Sequence, residues 1–313
     1  MKKFAVLTIC TLAPIAFCAD PALLRMIHPD SKFVAGVDLD KLRGTPFGQF
    51  LLSGAGFPGG APDAAHLDKL AETIGMDPRR DLRQVIVASS GPGESKALVL
   101  VSANYDEAKL ATGVMAHAGS VQQYQGTRVL GGFKDAAHEG WMAMLPGVLA
   151  IGPSSEVKEL IERRAGTMRA PAASDSIQAI SGRYDAWVFT SGSPAALMGQ
   201  TKNKNVEGAM NSDLLRGIES MSAGVKFGAN VEIGGEATVK TAQDATALID
   251  VIRFFATMAQ SNGGAGFARF VESLDLKAEG RVIRFSAKTT EQEFERMFGT
   301  AGRMRARPAV HRQ

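Results

Sequence analysis

Apolar and polar residues alternate in the second half of the chain in a pattern that predicts a hairpin followed by a long helix. From Val225 to Ile233 every odd position is apolar, which is the period of a strand with one buried face. Gly234-Gly235 predicts the hairpin turn, because glycine readily adopts the positive φ values of a two-residue loop. Residues 236–240 alternate again and predict the returning strand.

The helix after this hairpin is predicted from its start and from its apolar face. Thr241 followed by Asp244 has the spacing of a capping box, in which each residue bonds the backbone of the other. The following apolar residues recur at helical spacing, so they predict one buried face: Ala245, Leu248, Val251, Ile252, Phe255, Met258 and Ala259.

A hairpin followed by a helix is also predicted in the first half of the chain. Strands are predicted at Gln84–Ser89 and Lys96–Ser102, and a helix at Asn104–His117 that ends before Gly119. Other predicted strands are Phe33–Leu39, Val121–Tyr124, Arg128–Phe133, Trp141–Leu145, Val148–Ile151, Asp185–Thr190, Asp275–Ala278 and Arg281–Ala287. Other predicted helices begin at Thr45-Pro46, Ala65, Ser154, Ser212, Phe267 and Thr290, and the one from Ser212 extends to about Met221.

Both halves therefore run in the order strand, helices, hairpin, helix, sheet and capped helix. This order predicts an α+β fold with an internal pseudo-repeat, in which antiparallel sheets carry helices on one face. The first half is predicted at 20–166 and the second at 182–299, with 167–181 as a crossover rich in small residues. Residues 300–313 are predicted to form a disordered, arginine-rich tail.

The first residues have the features of a secretory signal peptide. Lys2-Lys3 is followed by an apolar run that ends at Phe17, which is short for a membrane span. Cleavage is predicted before Ala19 or Asp20, which makes 1–19 the signal segment. A lipoprotein signal, with a lipid anchor on Cys18, is the alternative that stays open.

Cleavage would remove both cysteines of the chain, Cys10 and Cys18. A mature chain without cysteine excludes disulfides, thiolate metal sites and a cysteine nucleophile. The formal charge of +3 falls to +1 without Lys2 and Lys3, and to about −3 without the four arginines of the tail. Such a charge gives no basis for nucleic-acid binding.

A short stretch near the start resembles a known group of proteins. Pro29-Asp30, the strand Phe33–Asp38, Leu42 and Thr45-Pro46-Phe47 are similar to the opening of a loose group of uncharacterised secreted bacterial proteins. The resemblance covers some twenty residues. It implies export and implies no activity.

The chain offers few patterns for a metal or a cofactor. Its five histidines, His28, His66, His117, His138 and His311, show no pair at metal-ligand spacing. Gly54-x-Gly56-x-x-Gly59 has the spacing of a dinucleotide fingerprint, but it follows a predicted helix instead of a strand. The acidic pairs Asp38 with Asp40 and Glu291 with Glu293 are interpreted as solvated carboxylates. The sequence therefore predicts no metal and no cofactor.

One serine pattern is typical of enzymes. Ser155-x-x-Lys158, then Ser212-Asp213, then Lys240-Thr241 follow the order found in serine hydrolases of the penicillin-binding-protein type. There Lys158 would deprotonate Ser155, and the strand with Lys240 would bind a carboxylate. Leu214 and Ala242 stand where asparagine and glycine are required. A helix start explains the same serine equally simply.

Two functional hypotheses result. The first is a non-catalytic exported protein of the cell envelope that binds a protein partner or an apolar ligand through a sheet face or its glycine-rich loops. The second is a serine hydrolase that uses Ser155, Lys158 and Lys240. An adaptable apolar pocket could draw on the methionines of the mature chain, among them Met142, Met144, Met210, Met221, Met258, Met297 and Met304.

Overall fold

The strands of the chain form a single antiparallel sheet. A computed structural model describes residues 19–52, 64–91, 97–116, 119–134, 139–166, 168–193, 213–262 and 264–296, and within them the sheet has 12 strands. The strands are β1 (Phe33–Asp38), β2 (Leu82–Ser89), β3 (Ala97–Ala103), β4 (Ser120–Tyr124), β5 (Thr127–Lys134), β6 (Glu139–Leu145), β7 (Val148–Pro153), β8 (Ala186–Ser191), β9 (Ile218–Lys226), β10 (Asn230–Val239), β11 (Asp275–Glu279) and β12 (Val282–Thr290). Their order across the sheet is β11-β12-β10-β9-β8-β1-β2-β3-β7-β6-β5-β4.

Helices lie in several of the connections between these strands. Their bounds are α1 (Pro21–Met26), α2 (Leu39–Leu42), α3 (Pro46–Leu52), α4 (Ala64–Ile74), α5 (Pro78–Asp81), α6 (Glu107–Ala116), α7 (Ser154–Ala165), α8 (Ser174–Arg183), α9 (Asp213–Arg216), α10 (Ala242–Asn262) and α11 (Gly264–Glu272). A last helix, α12, covers residues 291–296. The α+β class that the sequence predicts is confirmed.

The two predicted halves meet in the middle of the sheet, where β1 pairs with β8. In each half the first strand pairs with a hairpin, as β1 does with β2 and β8 with β9. The second hairpin strand then pairs with the last strand of the same half, as β3 does with β7 and β10 with β12. These pairings are alike in the two halves, but among the described strands β6, β5 and β4 lie beyond β7 whereas β11 alone lies beyond β12. The internal pseudo-repeat stays a prediction.

Helices cover one face of the sheet along its whole width. This face, called face 2, carries Ala35 and Val37 of β1. Three apolar clusters cover it. The first joins the strands to α4 and α6, the second joins them to α2, α3 and α12, and the third joins them to α10. Alternate strand residues point to opposite faces, so Val34, Gly36 and Asp38 lie on face 1.

Among the residues that the structure describes, helices cover face 1 only over the first half and the centre of the sheet. There α1, α7 and α8 pack on it, and Leu23, Leu160 and Ile177 belong to its core. Across β10, β12 and β11 the same face is polar, with exposed Glu236 and Arg284 on directly opposite positions. One solvated face is common in antiparallel sheets.

The predicted turn at Gly234-Gly235 is wrong. Both glycines lie inside β10, and the hairpin turns at residues 227–229 instead. A Cβ atom on Gly234 would lie 2.4 Å from the hydroxyl oxygen of Tyr184. The glycine is therefore needed so that the buried Tyr184 can lie across the strand, and not for a positive φ.

The helix predicted from Ser212 to about Met221 is also wrong. Only Asp213–Arg216 is helical in the described part, and β9 begins at Ile218. From Ile218 onward the side chains alternate between the two faces of the sheet. This alternation with a period of two makes the segment a strand instead of a helix, because both faces of β9 contact other elements.

The helix starts differ in how well they were predicted. In α10 the capping box is present, since Thr241 N donates to Asp244 (3.1 Å) and Asp244 N donates to Thr241 Oγ1 (3.1 Å). Thr45 Oγ1 accepts a bond from Gly48 N (3.0 Å) at the start of α3, as predicted. The cap predicted at Ser154 is wrong, because Pro153 holds the cap position and makes no side-chain cap hydrogen bond.

The stretch predicted as a crossover contains a helix. Residues 174–183 form α8, and its residues Ile177, Ile180 and Ser181 are buried. Several predicted features lie outside the described residues: the segment before Ala19, the Gly54-x-Gly56-x-x-Gly59 loop, Ser212 and the arginine-rich tail.

Candidate protein-binding sheet edge

Strand β4 forms one of the two edges of the sheet and is exposed along most of its length. It pairs with β5 through the two-residue loop Gln125-Gly126, whose φ values of 47° and 75° are both positive. Positive φ at both loop positions is the geometry of a type I′ hairpin turn. The register between β4 and β5 is therefore fixed by the turn.

The turn also determines which backbone groups of β4 point away from the sheet. In such a hairpin the residues that flank the loop, Tyr124 and Thr127, form a hydrogen-bonded pair, and such pairs alternate along an antiparallel ladder. The backbone N–H and C=O groups of Val121 and Gln123 consequently point outward. Along β4 they form a free edge of the sheet, which we call the β4 edge.

The opposite edge of the sheet carries charges, and the β4 edge does not. Strand β11 has Asp275, Lys277 and Glu279 at exposed positions. Charged side chains on an edge strand discourage pairing with another strand. The sequence Ser-Val-Gln-Gln-Tyr of β4 has no charge and no proline, so it lacks these two protections.

Apolar side chains are exposed beside the β4 edge. Of the three large apolar residues that are markedly exposed in the described part of the chain, Val121 is 38% exposed and Met115 is 49% exposed. Val121 lies on face 2, where α6, the helix that carries Met115, contacts β4. The third, Phe254, is on α10. The face-2 side of the β4 edge is therefore partly apolar.

On face 1 the end of β4 is held by an aromatic and charged cluster. The rings of Tyr124 and Trp141 meet edge to face, with their centroids 5.9 Å apart. Lys158 Nζ lies 4.6 Å from the centroid of the Trp141 ring. The Tyr124 hydroxyl donates to the Glu162 carboxylate, and this hydrogen bond raises the pKa of Tyr124. These contacts fix β4 to α7.

The structure does not bring the proposed serine, lysine and second lysine together. Ser155 is exposed in the first turn of α7, and Lys158 is placed over the Trp141 ring. Lys240 is exposed just after β10. Strands β7 and β10 are six positions apart in the sheet, which corresponds to about 29 Å. The geometry thus offers no support for the hydrolase hypothesis.

The interpretation of the acidic pairs as solvated carboxylates is wrong for Asp38 and Glu291, which are buried, and the pairs are engaged in structural contacts. Asp38 Oδ1 accepts from Lys41 N (3.2 Å), and Asp40 pairs with Arg43 (2.7 Å). Glu291 accepts from Phe47 N, as a bond between α12 and α3. Among described residues, no group of three or more histidine, cysteine or acidic side chains could hold a metal ion.

An open groove of about 430 Å³ lies between the β6–β7 turn and the start of α6. Tyr105 lines it and donates its hydroxyl hydrogen to Leu145 O (2.6 Å). Met144 also lines it, while Met142 and Met221 pack against apolar clusters. The groove has the size of a small-ligand site, but Tyr105 is already bonded to the backbone.

Sequence reasoning identified β4 as a strand but missed its role as an edge. The available signal in the sequence was the lack of charge in β4, next to a Gln-Gly dipeptide that forms the loop.

No helix in the described part of the chain is long and apolar enough to cross a membrane. No family model, curated protein or solved structure matches the chain.

Proposed function

We propose that the protein is a non-catalytic, exported cell-envelope protein that binds an extended segment of a partner protein along the β4 edge. The observation that carries this proposal is the outward-pointing backbone of Val121 and Gln123 on an uncharged edge strand. Addition of a strand to a free sheet edge is a common mode of peptide recognition, in which backbone hydrogen bonds supply the affinity.

The side chains around the edge specify the kind of segment that would fit. On face 2 an added strand would lie beside Val121 and near Met115, which favours apolar residues at alternate positions. On face 1 it would lie beside Gln122 and Tyr124, which favours polar residues between them. Arg128, opposite Gln123, pairs with Glu107 at 3.9 Å. An uncharged alternating segment therefore suits this edge.

A flexible segment suits this edge better than a second folded copy of the chain. Five residues of strand span only about 17 Å. A stable interface between folded proteins buries about 1,200 Å² or more, and a short straight edge provides little of that area. An extended segment can pair along β4 and also contact Met115 on α6. The fixed cluster of Tyr124, Trp141 and Lys158 lowers the cost of ordering the edge.

The proposal is tested by selecting peptides from a phage library of random octapeptides on the mature chain. Synthetic versions of the selected peptides are then titrated by fluorescence polarisation. Val121→Lys places a charge on the edge without changing the backbone, and we expect it to weaken binding about tenfold, or about 1.4 kcal/mol. The matched control, Ala278→Lys, puts the same charge on the β11 edge and is expected to leave the affinity unchanged.

Three outcomes would contradict the proposal. The first is a selection that yields no peptide, and the second is a peptide whose affinity is equal for Val121→Lys and Ala278→Lys. The third is concentration-dependent dimerisation in sedimentation velocity that Val121→Lys abolishes, because the edge would then pair with a second copy.

A further inference from the structure

The first described residue of the chain is part of the core. Ala19 is only 5% exposed, and its backbone N donates to Ser181 Oγ at 3.0 Å. Ser181 is itself 2% exposed and lies on α8. The start of the mature region is therefore bound at the centre of the sheet. Its hydrogen-bond partner, Ser181, lies much later in the chain.

A small cavity with a few polar groups in its wall lies beside Ala19. It measures about 10 Å³, which is room for about one water, and Asp38, Gln84, Ser181 and Trp187 are among the residues that line it. Gln84 Oε1 accepts from Asp20 N (3.1 Å), and Gln84 Nε2 donates to Asp38 Oδ2 (3.5 Å). The Asp38 side chain, a carboxylate that is 7% exposed, thus lines the same cavity as Ala19 at the start of the mature region.

These contacts distinguish the two cleavage positions that the sequence leaves open. Cleavage before Asp20 would remove Ala19 and leave a space beside Trp187. Cleavage before Ala19 keeps this residue, and it leaves small residues at the positions that signal peptidases read, Ala16 and Cys18. The structure therefore favours the cut before Ala19.

We propose that a signal peptidase hydrolyses the Cys18–Ala19 bond and that the new α-ammonium group of Ala19 occupies this cavity as a built-in structural cation. Water supplies the oxygen of the Cys18 carboxylate, and the amide nitrogen leaves as the ammonium group. That group keeps its hydrogen bond to Ser181 and gains two N–H donors beside the Asp38 carboxylate. Burial of a charge is tolerated when an opposite charge is near. Lys41 Nζ, 3.5 Å from Asp38 Oδ2, shares this carboxylate.

The cleavage position is tested by terminal sequencing and intact-mass measurement of the exported protein. A mature chain that begins with Ala19 is expected. A chain that begins with Asp20, or one that retains Cys18 with a lipid, would overturn the proposal. This test does not depend on the β4 edge, so it can fail while peptide binding stands.

The role of the charge is tested by comparing the Ala19 chain with the same chain acetylated at its α-amino group. Acetylation keeps one N–H for Ser181 but removes the charge, so we expect the unfolding midpoint to fall by about 2–4 °C. In an Asp38→Asn background the same acetylation is expected to have a smaller effect, because the opposite charge is gone. Equal midpoints for the free and acetylated chains would refute the docked ammonium, whereas an equal fall in both backgrounds would refute the role of Asp38.

Discussion

Lys158 Nζ lies 4.6 Å from the centroid of the Trp141 ring, and this contact joins α7 to the strands next to the β4 edge. It gives Lys158 a structural contact, whereas its spacing from Ser155 suggests a catalytic role that stays a hypothesis. The same lysine lies 5.9 Å from the centroid of the Tyr124 ring, at the end of β4. The strength of this contact can be measured.

Lys158→Ala is expected to lower the free energy of unfolding by about 0.5–1 kcal/mol, because the cation over the Trp141 ring is lost. Ser155→Ala is the matched control on the same helix. It is expected to change stability by less than about 0.5 kcal/mol, since Ser155 is exposed and does not cap α7. Urea denaturation of both variants measures these differences. Acylation of Ser155 by a fluorophosphonate probe, abolished in Ser155→Ala, would contradict this account and support the hydrolase.

Gly36→Ala is expected to destabilise the centre of the sheet by about 1–3 kcal/mol. A Cβ atom at this position would lie 2.3 Å from a ring atom of Trp187, which is directly opposite on β8. Gly228→Ala is the control, because its Cβ atom would lie 3.7 Å from the nearest heavy atom, Asn230 O. Denaturant midpoints compare the two variants. Equal destabilisation of both would mean that the Trp187 ring does not lie across Gly36.

Tyr105→Phe tests the hydrogen bond at the groove. Burial, with a contribution from Glu107, raises the pKa of Tyr105 from 10.0 to about 12. The neutral phenol is therefore the form that stabilises the fold, and its contribution is complete below pH 10 and lost as the pH rises through 12. At pH 8 the variant should be less stable by about 1 kcal/mol. Between pH 10 and 12 the wild type should lose more stability than the variant, and parallel losses would contradict the assigned pKa.

Thr241→Ala is expected to cost about 1 kcal/mol, because the capping box of α10 loses the bond to Asp244 N. Thr246→Ala is the control within the same helix. It removes only a bond from Thr246 Oγ1 to Ala242 O (3.3 Å), and alanine is the better helix former, so it is expected to be neutral or slightly stabilising. Thermal unfolding followed by circular dichroism compares the variants. A cost for Thr246→Ala as large as that for Thr241→Ala would argue against the cap.

Local periodicity was sufficient to predict most strands and several helix starts. Phe33–Asp38 forms a strand where Phe33–Leu39 is predicted, and Thr241 with Asp244 forms the predicted box. Local reasoning failed where a distant side chain decides the conformation. Gly234 has the turn chemistry of a hairpin, but it lies in a strand because Tyr184, 50 positions earlier, packs across it.

The β4 edge could not be predicted from the sequence, because strand order is a long-range property. Chain order suggests that β4 lies beside β3, but β3 pairs with β7 instead. That pairing moves β4 to the outside of the sheet. The contact of Lys158 with Trp141 is equally non-local, since 17 positions separate the two residues. A short Ser-x-x-Lys motif carries no information about either arrangement.

Residue-resolved hydrogen exchange of the protein, with and without a selected octapeptide, tests the β4 edge most directly. We predict that the backbone amides of Val121 and Gln123 exchange rapidly in the free chain, because no strand in the described part of the chain pairs with them on that side. Bound peptide is predicted to slow the exchange of both amides and to leave those of β11 unchanged. Slow exchange of Val121 and Gln123 in the free chain, or binding that protects other residues and not these two, would contradict the account.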